Sequence, residues 1–204
     1  MDRNKVRGNK KNREDATAVT LDSNKIIGLV GKAISGDIEA FGELYSNYLV
    51  PIYRYIYYHI KDKMTAEDLT EEVFIKAWRG IRSCKGKEQT FSAWLYRIAH
   101  NHMIDYFRST QRYSSMRYRS TDMSNISEVI NNGTEAKLEL QRLLETVSLL
   151  PQNQKQLIIL KFIEGLDNRE IALIMNKSPG AIRVLQMRAL TKLRRNLTRE
   201  KLRK

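Results

Sequence analysis

The chain has 204 residues, enough for one domain or two small ones, and an apolar share of 42% is enough to fill a packed core. No apolar run approaches the roughly 20 residues of a membrane span, the basic N-terminus has no apolar stretch behind it of the kind a secretory signal needs, and a lone cysteine, Cys84, excludes an internal disulfide. The formal net charge of +13 is concentrated at one end: residues 177–204 hold 10 basic side chains against Glu200, a field suited to a polyanion partner, although a solubilising tail has the same composition.

Residues 1–23 are polar, basic and aperiodic, and are expected to form a disordered arm. From 24 to 108 the pattern is helical: Phe41, Leu44, Tyr45, Tyr48, Leu49, Ile52, Tyr53 and Ile56 follow the i, i+3, i+4 rule. Within this unit "TAEDLTEEVFIKAWRG" is predicted to be a helix capped by Thr65 and closed by Gly80. Its Asp68, Glu71 and Glu72 make an acidic surface in a basic protein. That surface reads either as dipole compensation and solvation or as a docking face for a basic partner.

The next helix, "FSAWLYRIAHNHMIDYFR", gathers Trp94, Arg97, Asn101, Asp105 and Arg108 into one stripe, with Leu95, Ile98, Ala99, His102, Met103 and Tyr106 opposite. Aromatic and cationic groups side by side can stack on unpaired bases and hold their backbone; a core tryptophan with a salt-bridged rim has the same pattern. The "HNH" at 100–102 is no metal signature, because i and i+2 on a helix point roughly 200° apart. Neither a catalytic constellation nor a metal or cofactor motif is recognisable, so no enzyme activity, metal or cofactor is expected.

Residues 109–137 are rich in Ser, Thr and Asn and lack periodicity, which marks a flexible linker. The helical pattern resumes at 138. Pro151 opens a helix that Gly165 ends, and Asp167 with Glu170 forms a capping-box pattern for the next. Ser178 and Pro179 open a last, strongly basic helix, giving a helix-turn-helix. On its wheel Ile182, Leu185, Ala189, Leu190, Leu193 and Leu197 share one side; Arg183, Val184, Met187, Arg188, Thr191, Arg194 and Arg195 share the other. Arginine can fork onto guanine and apolar groups can meet a thymine methyl, so this outer face suits the major groove, with Lys177 and Ser178 at its mouth. Gln186 falls near the edge of the core.

In order and spacing these pieces resemble the sigma-70 family of bacterial transcription initiation factors, in its short extracytoplasmic-function (ECF) group. "TAEDLTEEVFIKAW" is similar to the family's region 2.2, "FSAWLYRIAHNHMIDYFR" to regions 2.3 and 2.4, and "LPQNQKQLIILKFIEGLDNREIALIMNKSPGAIRVLQMRALTKLR" to region 4. Glu71 stands where relatives carry Gln, and "GAIRVLQMRAL" replaces the commoner "GTVKSRL". The resemblance implies an all-α fold of two small helical domains, region 2 over 24–108 and region 4 over 138–204, joined by the linker.

It also implies roles. Asp68, Glu71 and Glu72 would meet the β′ clamp helices of core RNA polymerase (β and β′ subunits). The loop "CKGKEQT" with Lys85 and Lys87, together with Trp94, Arg97, Asn101 and Arg108, would capture the melted minus-ten strand. Lys177, Ser178, Arg183, Val184, Met187, Arg188, Arg194 and Arg195 would hold or read minus-35 promoter DNA. An anti-sigma factor partner and a cytoplasmic, nucleoid-associated location without membrane insertion are further expectations. Two readings of a different class remain: a stand-alone helix-turn-helix regulator of duplex operators, and a small RNA-binding protein.

Overall fold

The computed structural model describes residues 23–85, 90–113 and 143–201. Most of the expected arm, most of the expected linker, the predicted resumption of helix at 138 and the loop lysine Lys87 lie outside them. The described residues are helical throughout, joined by short turns.

The first domain comprises α1 (Ser23–Ile34), α2 (Ile38–Ile60), α3 (Lys63–Gly80) and α4 (Phe91–Tyr113). Asp37 caps α2, its side chain accepting from the Ala40 N–H. The start of α3 departs from the sequence expectation: Asp62, not Thr65, is the cap, accepting from the Thr65 N–H at 2.9 Å, so the helix begins at Lys63. Hydrogen bonds from Thr65 hold the Asp62 carboxyl below the usual carboxylate range. A carboxylate is a strong cap acceptor, and taking the cap three residues earlier leaves Thr65 inside the first turn. Gly80 ends α3 and a 3₁₀ turn, Ile81–Cys84, follows and buries Ile81 and Cys84.

Consecutive helices pack on one another, and rings fill the layer between them. Phe41 meets Trp78 at 4.8 Å, Tyr45 meets Phe74 at 4.7 Å and Tyr48 meets Phe91 at 5.4 Å between centroids. Such offset and edge-on pairs add to the large apolar area each ring buries. Helix α4 runs on to Tyr113, past Arg108, so helix continues into the segment where the composition suggested linker.

The second domain contains a helical stretch over residues 143–148 (α5), then α6 (Gln152–Ile158), a π turn (Ile159–Ile163), α7 (Asn168–Met175) and α8 (Pro179–Lys201). Gly165 follows the π turn at φ +74, a left-handed conformation that glycine adopts without strain. Leu157, Leu160, Ile171 and Ile182 are fully buried.

The two domains also pack on each other. Helix α7 packs along α4, and one apolar core runs from Leu29 to Ala189. None of the described helices is long and apolar enough to cross a membrane.

Candidate nucleic-acid interface

The duplex-reading candidate is built from the turn outward. Asp167 Oδ1 accepts from the N–H groups of Arg169 (2.7 Å) and Glu170 (2.8 Å), and Glu170 Oε2 accepts in return from the Asp167 N–H at 2.8 Å. This is the capping box read from the sequence. Those bonds hold the Asp167 carboxyl below its usual range. Asn176 ends α7 in the left-handed region (φ 50), returning its N–H to the Ala172 carbonyl, as a short polar side chain tolerates. Ser178 Oγ then accepts from the Ala181 N–H at 3.2 Å and opens α8.

With both helices pinned, Ile182 and Ala189 are fully buried and Leu185 and Leu193 partly so. The outer face carries Arg183, Arg188, Arg194 and Arg195, all exposed, around Val184 (45% exposed) and Met187 (63%). Lys177 and Ser178 are exposed at the mouth. One residue of the wheel is corrected: Leu190, placed on the core side, is 40% exposed. It lies roughly 80° round from Ile182, at the edge of the arc that α6 and α7 cover. Gln186, about 40° round from Ile182 on the same side, is half-buried, its Oε1 accepting from Asn168 Nδ2 at 3.4 Å.

The strand-binding candidate is a cavity of about 600 Å³ lined by Ser83, Cys84, Thr90, Trp94, Arg97 and Asn101. Trp94 is part packed and part open. One edge of its ring leans on the core, 5.6 Å from the Phe91 centroid and against Gly80, while the rest opens into the cavity. Lys85 is exposed beyond the 3₁₀ turn. Arg108 lies farther along α4, beside Asp105 at 3.7 Å, so Trp94, Arg97 and Asn101 are brought together and Arg108 is not.

On α3, Asp68, Glu71 and Glu72 are all exposed. Glu72 also reaches back to His102 on α4 at 2.8 Å, and Lys76 Nζ lies 2.6 Å from the other ring nitrogen. His100 faces away from that group, its Nδ1 2.8 Å from Gln156 Nε2, so the two histidines of "HNH" diverge.

Sequence reasoning missed several residues. Ile75 and Trp78 are part-exposed on the same stripe as Glu71, a grouping that the i, i+4, i+7 spacing could have revealed. Leu173 of α7 also lines the Trp94 cavity, and Arg54, Tyr96 and Glu164 meet across the domains; no local pattern marks either.

Comparison with known proteins agrees with this geometry. The family models for Sigma-70 region 2 and Sigma-70, region 4, match residues 44–113 and 140–193. The ECF RNA polymerase sigma factor BldN of Streptomyces coelicolor is 38% identical over 183 residues, spanning 88% of this chain and 69% of the relative. The corresponding SigX of Bacillus subtilis is 30% identical over 164 residues, spanning 78% and 84%. Among solved structures, CnrH in complex with the cytosolic domain of CnrY aligns at TM-score 0.64 with 25% identity, covering 85% of this chain and 97% of that one. The sigma factor RpoE with the anti-sigma factor NepR from Bartonella quintana shares the fold at TM-score 0.67, with 22% identity over 79% of this chain and 98% of that one. A stand-alone regulator or an RNA-binding protein leaves the region 2 match without an explanation, and both readings are set aside. With one family's two signature regions in their proper order and relatives of that name along most of its length, the chain belongs to the sigma-70 family, among the ECF RNA polymerase sigma factors.

Proposed function

We propose that the chain is a dissociable promoter-specificity subunit that acts in the cytoplasm, without chemistry of its own. Core RNA polymerase is engaged through Asp68, Glu71 and Glu72, whose carboxylates suit a basic surface on the β′ clamp helices. Ile75 and Trp78 supply apolar contact on the same face. Trp94 stacks on an unpaired base of the minus-ten strand, with Arg97, Asn101, Lys85 and Lys87 on its backbone and Arg108 farther along.

Outside that site, Val184 and Met187 meet base edges of the minus-35 duplex while the arginines of α8, with Lys177 and Ser178, hold phosphates. On promoters the protein is nucleoid-associated, and an anti-sigma factor is its regulator. One observation carries the reading: the chain presents a duplex-reading helix and, on another domain, a half-open tryptophan beside an arginine and an asparagine. Opening DNA needs both, because unpairing a base costs a few kcal/mol that a trap must return.

The test is run-off transcription with purified chain and core polymerase on a promoter library. Initiation from a defined subset of promoters, absent with core alone, is expected. Failure both to bind core and to initiate anywhere would falsify the reading.

A further inference from the structure

His102 of α4 lies at the flank of the acidic docking face and touches two of its charges. Its side chain is 12% exposed and sits between Lys76 and Glu72 of α3. On α3, Asp68, Glu71 and Ile75 are exposed together. Glu72 stands about 60° round from Ile75, on the side where it meets α4, and Lys76 about 40° farther.

Lys76 Nζ lies 2.6 Å from His102 Nδ1. An ammonium only donates, so Nδ1 accepts and the hydrogen of the neutral ring sits on Nε2. Nε2 is closed to water and lies 2.8 Å from Glu72 Oε2, off the line of a straight hydrogen bond. A bent contact from a neutral N–H steers the carboxylate without cancelling its charge.

Protonation reverses both sides at once. The proton goes to Nδ1, the ring nitrogen that has a lone pair, so a donor then faces the Lys76 ammonium and Lys76 is released. The ring, now a cation 2.8 Å from Glu72, draws that carboxylate into an ion pair. One negative charge of the face is masked and one positive charge is freed beside it. A face that must meet a basic surface loses on both counts.

The setting favours the neutral ring. Burial first, then the Lys76 charge, keep its pKa below the ordinary 6.5, against the opposing pull of Glu72 and Asp105. Helices α2 and α7 also pack on α4, and among the described residues they bring no charge to bear on this ring.

Resting on the reading of Glu72 as a core-binding carboxylate, we infer that His102 is a positioning residue for core polymerase. Neutral, it leaves Glu72 charged and keeps Lys76 engaged; protonated, it withdraws Glu72 and releases Lys76, so docking weakens as pH falls. Histidine is the side chain whose charge changes in this range.

The test measures affinity of the immobilised full chain for core polymerase from pH 7.5 to pH 5, with NMR following the His102 ring protons of the free chain. At the pH where the ring is half protonated, affinity should have fallen about twofold, because half the chains are in the weakly docking form. His102→Gln keeps an N–H donor but takes up no proton, so this fall should be missing; His102→Leu reads the same if the Gln variant does not fold. In the free chain, Lys76→Met should raise the midpoint of the ring and Glu72→Gln should lower it. An equal fall in wild type and variant, or none in wild type, overturns the positioning role. Midpoints that do not move in these two directions overturn the arrangement on which it rests. Failure to bind core polymerase at any pH sinks the sigma reading, while the free-chain midpoints still decide whether His102 links Lys76 to Glu72.

Discussion

Acidification should destabilise the protein through His59 in particular. This residue of α2 is 7% exposed. Its Nδ1 lies 2.8 Å from the Tyr55 carbonyl, which only accepts, so Nδ1 carries the hydrogen. Nε2 is buried with no hydrogen-bond partner, and protonating it would place a charged N–H in the core without an acceptor. Burial first, and then the charge of Lys155, push the imidazole down from 6.5 to about 3, against the opposing pull of the Tyr55 carbonyl.

The sign follows directly. The unfolded chain takes up this proton as pH falls through about 6.5 and the native chain does not until about 3, so stability that is whole above 6.5 is lost progressively between the two. At 1.36 kcal/mol per pH unit, the loss at pH 5 is about 2 kcal/mol, or about 30-fold in the unfolding constant. Urea unfolding at pH 7.5 and pH 5 reads the difference. His59→Phe keeps the ring against Tyr55 and removes the titration, so the wild type should lose about 2 kcal/mol more than the variant over that interval. His100 and His102, also lowered by burial, add losses common to both proteins. The reasoning is refuted if both proteins lose the same stability, or if the His59 ring protons titrate near 6.5 by NMR.

Other residues give sharper functional readouts. Trp94→Ala should remove about 1–3 kcal/mol of base stacking from the open complex while sparing closed-complex binding; permanganate footprinting separates the two, and equal losses count against the stacking role. Val184→Ala and Met187→Ala should change the minus-35 sequence recovered in a selection, whereas Arg194→Ala and Arg195→Ala should each flatten the salt dependence of affinity by about one unit of slope. An unchanged preferred sequence would contradict that division of labour. Glu71→Lys with Glu72→Lys should weaken core binding in a pull-down while the affinity of the chain for minus-35 duplex holds. Asp167→Ala should cost about 1 kcal/mol in urea unfolding by opening one side of the capping box; an unchanged midpoint means that the box carries no stability.

What was legible in the sequence was local. The capping box at Asp167, the Ser178 cap, Pro179 at the first helical position and the stop at Gly165 are chemistry between residues at most a few positions apart, and a linear pattern records such chemistry. The division of α8 into an anchored and an open face was equally readable, because Ile182 and Ala189 recur with the helical period. Errors fell at margins. Leu190 lies at the edge of the buried arc, where a wheel cannot tell which neighbour covers it, and Asp62 outcompeted Thr65 for a cap that either side chain could make.

The contact between domains left no such trace, for a physical reason. Arg54, Tyr96 and Glu164 each look like ordinary residues of amphipathic helices, and 110 positions separate Arg54 from Glu164. The run "ILKFI" does not announce a π turn, yet without it Glu164 would turn away from Gln156. Burial, followed by the Glu164 charge, pushes the Tyr96 phenol well up, so it stays protonated and donates to Glu164. A contact made by a carboxylate, a guanidinium and a phenol drawn from two domains is therefore legible only once both halves are in place.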